Sequence, residues 1–381
     1  MYSTDHLTAV PPGLPPGLAH AFAADPPGEA RPPGPRVNPW GAAGAVPVAV
    51  PGRLGDLLGG LWSGEGFHRL EDGTPTNVRR RPVPSAGGAY PVQTHVVVGA
   101  SGARGDGGGS LEPGRYVYDH DRDTLLRRAD VDSYTDTDTD TGAGADGAVG
   151  PGAGTHVVLT VQPGRSYGRY RHRAWPLWIA DTAYALAAVE FLTRASSVRL
   201  GPGAPLRGLL GVPRAAEHEW WTRRGLAPEI PLASIELPDT WSVDAGRREA
   251  LAARRSPAIG EFAAAARARL CVVGSAARVP ETRGAVEACE QAWVLGAHRL
   301  ETWSVPVDAS TAAVAEVLWR AHREAAHLCY SSALTGEWRC RPVSGFRAVQ
   351  GRWTVHAVAM LPGSAECGVT GPGTRSAEEV A

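Results

Sequence analysis

Residues Asn77 to Val98 read NVRRRPVPSAGGAYPVQTHVVV. The stretch has three parts: the guanidiniums of Arg79, Arg80 and Arg81, a Pro-Ser-Ala-Gly-Gly turn, and a run rich in β-branched side chains. Adjacent glycines admit backbone conformations that a Cβ opposes, so main-chain amides can approach a polar ligand closely. Guanidiniums beside them supply positive charge and directed donors. The run QTHVVVG at 93–99 predicts a buried strand. On composition alone the segment is either an arginine-rich surface turn ahead of a strand or a cradle for a polar ligand.

Toward the N-terminus, 53–62 predicts a short helix, and residues 1–50 carry repeated Pro-Pro-Gly units that predict a flexible arm able to drape over a partner subunit. Toward the C-terminus, GRYVYD (114–119) and THVVLTV (155–161) predict two more strands, the first with Tyr116 and Tyr118 on one face and Val117 on the other. The polar, glycine-rich stretches at 101–110 and 132–154 predict surface excursions, and the Asp/Thr tract in the second lacks the glycine and distal glutamate of an EF-hand loop. Residues 174–194 predict a core helix presenting Trp175, Ile179, Ala183, Leu186, Val189 and Leu192 on one face. From 200 to 244 the pattern is irregular and proline-rich. A boundary is expected near 245, followed by a helical stretch at 249–270, a helix over 312–334 and a strand over 353–360.

All 38 basic residues are arginine, so a lysine Schiff base and a P-loop lysine are excluded. A net charge of −1 provides no global field for nucleic acid or an anionic membrane, so neither is expected as a partner. Five cysteines (Cys271, Cys289, Cys329, Cys340, Cys367) lie in the last third without CxxC or zinc spacing, which predicts reduced structural thiols, no metal and a cytoplasmic protein. His322 and His327 are five apart, off the spacing of a helical metal pair, and with His356 they are read as structural. No G-x-S-x-G elbow or dinucleotide glycine motif is present.

The string RPVPSAGGAYP resembles a segment of the SagB-type and McbC-type azoline dehydrogenases of the nitroreductase superfamily, in which a Pro-Ser-Ala-Gly loop lies along flavin mononucleotide (FMN). The resemblance implies that Ser85, Ala86, Gly87 and Gly88 contact the flavin, with Arg79 or Arg81 near its phosphate. A second stretch, GRYRHRAWPLW at 168–178, resembles the family's lysine-tyrosine, two variable residues, arginine, alanine and aromatic. Tyr170, Arg173, Ala174 and Trp175 fit, while Arg169 holds the lysine position. An arginine is a poor base because its pKa is above about 12. The resemblance therefore implies Tyr170 as the leading acid/base group, His172 next, Arg169 as an electrostatic aid and Arg173 at the cofactor. Residues 325–360 resemble the last helix, loop and strand of a nitroreductase unit, which implies Arg341, Ser344 and Gly345 at the flavin phosphate. Arg254, Arg255 and Ser256 resemble the arginine-arginine-serine opening of nitroreductases, without the further arginine that usually follows.

The expected fold is α+β and nitroreductase-like, with helices around an antiparallel-rich mixed sheet. Tandem halves are expected at 51–245 (carrying the flavin loop) and 246–362 (degenerate), with a disordered tail at 363–381. The implied function is FMN-dependent oxidation of thiazoline or oxazoline rings to thiazole or oxazole in a ribosomally synthesised, thiopeptide-like antibiotic precursor. The implied partners are that modified precursor peptide as substrate and the cyclodehydratase proteins of its pathway, with the site completed in a homodimer or intrachain pseudo-dimer. Two alternatives stand beside it. One is a catalytically inactive scaffold, suggested by Arg169 at the lysine position and by the degenerate second half. The other is a general NAD(P)H-dependent nitro or quinone reductase.

Overall fold

The structure, a computed structural model, describes residues 38–64, 66–69, 73–99, 103–104, 110–128, 154–272 and 280–363. The Asp/Thr tract, most of the arm and the tail after 363 lie outside the described residues. The first sheet comprises β1 (Val46–Val48), β2 (Val92–Val98), β3 (Gly114–Asp119), β4 (Thr124–Arg127), β5 (Thr155–Val161), β6 (Ser197–Leu200) and β7 (Ile230–Leu237). Its order is β1-β4-β3-β2-β5-β7-β6, and every pairing is antiparallel.

The valine-rich runs occupy the centre because both faces are covered. Val92, Val96, Val98, Val157, Leu159 and Val161 face one core, which also takes Tyr116 and Tyr118. Val97, Val117 and Val158 face the other. Fully burying such a side chain stabilises the fold by about 1.5–3 kcal/mol, so a one-residue register slip, which exchanges the two faces, would be strongly disfavoured.

Nine helices are described: α1 (Gly52–Trp62), α2 (Gly164–Tyr170), α3 (Ala174–Thr193), α4 (Ala204–Leu210), α5 (His218–Arg223), α6 (Ala245–Ala253), α7 (Ile259–Val272), α8 (Pro280–Cys289) and α9 (Thr311–Thr335). The second sheet contains β8 (Arg299–Pro306), β9 (Trp338–Val343) and β10 (Arg352–Pro362) in the order β8-β10-β9. Helices α3 and α9 pack together between the two sheets, and one core holds Val96, Leu159, Ala185 and Leu186 with Ala325, Tyr330, Val358 and Met360. Beyond the second sheet, α7 and α8 cover its other face through Phe262, Ala285 and Ala288.

Several elements depart from the sequence expectations. Helix α3 is buried on all sides from Ala180 to Val189 because sheet and helix flank it, while Trp175, expected inward, is 38% exposed at its first turn. The irregular region contains β7, an internal strand disguised by Pro231, where the register to β5 shifts. The single helical stretch at 249–270 is two helices, split where Ser256–Pro257 interrupts the pattern. The expected arm ends earlier than residue 50: Asn38 and Trp40 are buried and Val46–Val48 pairs with β4. Residue 245 opens α6, which packs against α1, α3 and α9, and Asp244 caps it by accepting from the Arg247 amide.

Candidate active site

Between Arg81 and β2 the chain makes the glycine turn, and the turn is held from beneath by one carboxylate. The Ser85 hydroxyl donates to Asp181 Oδ2 at 2.9 Å, and the Ala86 amide donates to Oδ1 at 2.9 Å. The same hydroxyl accepts from the Tyr90 amide at 2.9 Å, fixing both ends of the turn. Gly87 and Gly88 take φ values of +57° and +65°, and Tyr90 takes +47°. That left-handed region costs a residue with a Cβ about 1–2 kcal/mol. Tyr90 tolerates it while its amide bonds to Ser85 and its hydroxyl lies 3.2 Å from His68 Nε2.

Helix α2 covers the turn from the other side. A Cβ on Gly87 would lie 2.1 Å from the Tyr170 hydroxyl and 3.2 Å from Arg169 Nη1, so the missing side chain is what allows this approach. Arg169 reaches the Gly87 carbonyl at 3.5 Å and lies over the Tyr170 ring. Arg165, buried on the same helix, donates to the Ala89 carbonyl at 2.6 Å.

Asp181 is buried in the apolar body of α3. Burial pushes its carboxyl up to about 7, against the opposing pull of the Ala86 and Ser85 hydrogen bonds. Burial also raises Tyr170, offset in part by Arg169 and reinforced by Asp181. A tyrosine raised above 10 keeps its proton at neutral pH, so the Tyr170 hydroxyl is set up to donate rather than to remove a proton.

The expected site residues separate into groups. Ser85, Ala86, Gly87, Gly88, Arg169 and Tyr170 come together. His172 lies against Tyr167 and Trp175 at the start of α3, with ring centroids 6.0 and 6.4 Å away, and Arg173 ends the short turn before that helix. Arg79 points out of the turn, over Phe67 on a hairpin formed by Phe67–Arg69 and Pro75–Arg79. Arg81 donates to His120 Nδ1 at 2.9 Å and stacks over Tyr90. Burial, with the Arg81 charge beside it, lowers His120 well below its usual range, so the ring stays neutral and accepts that bond. Arg341 lies on the second sheet, in β9, and Ser344 and Gly345 in the loop that follows it. There Arg341 bonds to the Pro257 carbonyl at 2.9 Å and Gln291 to the Ser344 carbonyl at 2.9 Å.

Two residues outside the expected set belong to the turn. Asp181 is its anchor. Arg254, from the segment after α6, donates to the Pro82 carbonyl at 3.3 Å, pairs with no carboxylate among the described residues, and has a buried Nε without a hydrogen-bond partner. The lone acid in LWIADTAYALAAV was a visible signal for the first. The second was visible only through the arginine-arginine-serine resemblance. No group of three or more metal-ligating side chains is found among the described residues, and no described helix is long and apolar enough to cross a membrane.

A solved structure from Anabaena variabilis, of a candidate nitroreductase, is similar to this chain with a TM-score of 0.51 and 13% identity, over 81% of this chain and 87% of that one. The fold is nitroreductase-like. No family model and no curated protein matches the sequence. At 13% identity the likeness establishes the nitroreductase-like architecture alone, and the chemistry is argued from the residues.

Proposed function

We propose that this nitroreductase-like chain is an FMN-dependent dehydrogenase that oxidises thiazoline or oxazoline rings in a ribosomally made peptide. The observation that carries the reading is the Ser85–Gly88 turn, anchored by Asp181 and faced by the Tyr170 hydroxyl at a position where a side chain would not fit. The donor set fits a flavin mononucleotide. The turn supplies main-chain groups freed of side chains, and Arg254 supplies a cation without a carboxylate partner and with an unsatisfied buried Nε, as an anionic phosphate requires. Ser85 to Gly88 would run along the flavin and Arg254 would meet its phosphate.

Bound flavin would supply the two-electron acceptor for the hydride that leaves the ring, the proton lost with it would pass to solvent water, and the chain supplies alignment and charge control. Arg169 stabilises negative charge that develops at the ring. Tyr170, protonated at neutral pH, donates to the ring heteroatom and holds the ring in register. Asp181 keeps the turn from relaxing when ligand enters. The FMN, the peptide substrate and the cyclodehydratase partners form one proposal with this chemistry. So does the division into tandem halves, which is supported by the packing of α3 on α9 between the two sheets.

A second reading, a general NAD(P)H-dependent nitro or quinone reductase, is favoured by what the structural neighbour is described as. One experiment separates the two. The visible spectrum of the purified protein is recorded, the cofactor released on denaturation is identified, and the loaded protein is given an azoline peptide or NADPH with a quinone. Stoichiometric FMN and ring oxidation, reduced about a hundredfold in Tyr170→Phe, is expected. A colourless protein that does not take up added FMN would remove both enzymatic readings, and rapid NADPH oxidation without ring oxidation would select the reductase.

A further inference from the structure

Helix α9 turns back into β9 through Gly336, whose φ of +71° is the left-handed conformation that commonly ends a helix. Cys329 lies seven residues before that glycine and Cys340 four after it. A helix rises about 1.5 Å per residue and a strand about 3.3 Å, so the two cysteines stand about 10 and 13 Å from the turn, abreast of each other. Both are free thiols, buried in the core that also takes Tyr184, Tyr330 and Met360. There they meet: Cys329 bonds through its thiol to the Cys340 sulfur, and Ser332, one turn further along α9, bonds to Cys340 as well.

The two thiols are not equivalent. The bond from Cys329 holds Cys340 below the ordinary thiol range, helped by Ser332 and by the charges of Arg254 and Arg299, against the opposing effect of burial. The same contact, with burial, pushes Cys329 well above that range. The thiolate is the nucleophile in sulfur chemistry, so the member held down near guanidiniums is suited to attack and its protonated neighbour to resolve. Cys289, at the end of α8, supplies the contrast, because burial pushes its thiol up.

We propose that Cys329 and Cys340 form a redox-active dithiol, which hydrogen peroxide oxidises to a disulfide within the chain. The Cys340 thiolate attacks one peroxide oxygen, the O–O bond breaks, and the departing hydroxide takes up the proton that Cys340 lost, giving water and a sulfenic acid. The Cys329 sulfur then attacks the Cys340 sulfur, the S–O bond breaks, and the hydroxide leaves with the Cys329 proton as a second water. Two thiols are oxidised by two electrons and one peroxide is reduced to two waters. Burial selects a small oxidant, and β9 has β10 alone as its strand neighbour among the described residues, so the pair lies at an edge of the second sheet where local opening is easiest. The disulfide would tie α9 to β9 and withdraw the thiolate from Arg254. The proposal stands apart from the dehydrogenase reading.

The test reads sulfur oxidation without turnover. The reduced full chain is exposed to hydrogen peroxide for increasing times, denatured, blocked with iodoacetamide, digested and mapped by mass spectrometry. A link between the peptides that hold Cys329 and Cys340, reversed by dithiothreitol, is expected to form about tenfold faster than any oxidation of Cys289. Cys329→Ser keeps a donor for Cys340 but removes the resolving sulfur, so Cys340 should stop as a sulfenic acid that dimedone traps. In Cys340→Ser, Cys329 should remain a thiol. Oxidation of Cys289 ahead of Cys340 in the unmodified chain, both thiols intact after peroxide, or a disulfide that joins other cysteines instead would overturn the proposal, and none of these outcomes depends on a variant folding or on flavin.

Discussion

Two carboxylates are buried against the first sheet's two faces, and they differ in what surrounds them. Glu229, on the outer face, receives Asn38 Nδ2 at 2.5 Å, Trp40 Nε1 at 3.1 Å, Thr160 Oγ1 at 2.7 Å and His95 Nε2 at 2.7 Å. Burial pushes its carboxyl up, but His95, Thr160 and Asn38 outweigh that and hold it down at about 2. Asp181, on the inner side, has two donors and no cation in contact among the described residues, so burial prevails and pushes its carboxyl up to about 7. A fully satisfied buried charge binds elements together, here the N-terminal segment to β2, β5 and the approach to β7. A partly satisfied one beside a glycine turn is held in a state that can change near neutral pH, as working sites require. The comparison assigns Glu229 to stability and Asp181 to the site.

The largest effect should come from Glu229→Ala, which strands several donors in the interior. Removing one partner of such a buried network costs about 3–5 kcal/mol. The midpoint of thermal unfolding should fall sharply while the folded fraction binds flavin as before. Retained stability would mean that the cluster is not the clamp described. The pH dependence has a definite sign. Because the folded carboxyl of Glu229 lies below its ordinary 4.5, its stabilisation is complete above 4.5 and disappears as pH falls through about 2.

Asp181→Asn should act less on stability and more on the turn, since the amide keeps the shape but turns one acceptor into a donor facing the Ser85 hydroxyl or the Ala86 amide. The sign here is opposite. A folded carboxyl raised from 3.8 to about 7 favours the folded state fully below 3.8, and that contribution is lost as pH rises to about 7. Between about pH 4 and 7 wild-type stability should fall as pH rises and then level off, flavin retention should change around pH 7, and Asp181→Asn should remove both dependences while weakening flavin binding. Parallel pH curves for the two proteins would show that Asp181 does not titrate there.

Much of this was readable from sequence where one physical signal dominated. The β-branched runs at Val96–Val98 and Val157–Val158 marked central strands, and the long apolar period marked α9. β7 escaped because Pro231 sits inside it. In β9 the alternation Arg339, Cys340, Arg341 put guanidiniums on the face toward α7, where their stems pack, and the strand read as a polar loop. The glycine turn and Tyr170 were found by motif, whereas Asp181 was absorbed into a helix read by its apolar face. Glu229 had no local signal, since three of its four partners lie more than a hundred residues away. Side-chain direction was also hidden: adjacent Arg79, Arg80 and Arg81 look equivalent in the string, yet one is buried on His120 and another lies over Phe67.

The finest test sharpens the inner half of the comparison. In Gly87→Ala the new Cβ occupies a φ of +57° and lies 2.1 Å from the Tyr170 hydroxyl. The backbone contribution alone is about 1–2 kcal/mol, and it persists whatever happens to Tyr170. The contact contribution does not. Replacing Tyr170 by Phe removes the hydroxyl and leaves Cζ at 3.2 Å, a distance that a small ring tilt relieves. The double variant Gly87→Ala/Tyr170→Phe should therefore be more stable than the sum of the single effects, with a coupling of about 0.5–1 kcal/mol by a double-mutant cycle. If Tyr170 faces the turn as described, Gly87→Ala should also expose the Tyr170 ring to solvent, seen as a shift in its fluorescence or near-ultraviolet dichroism. Strict additivity would place the hydroxyl elsewhere, and Tyr170 would then have no claim on whatever the turn binds.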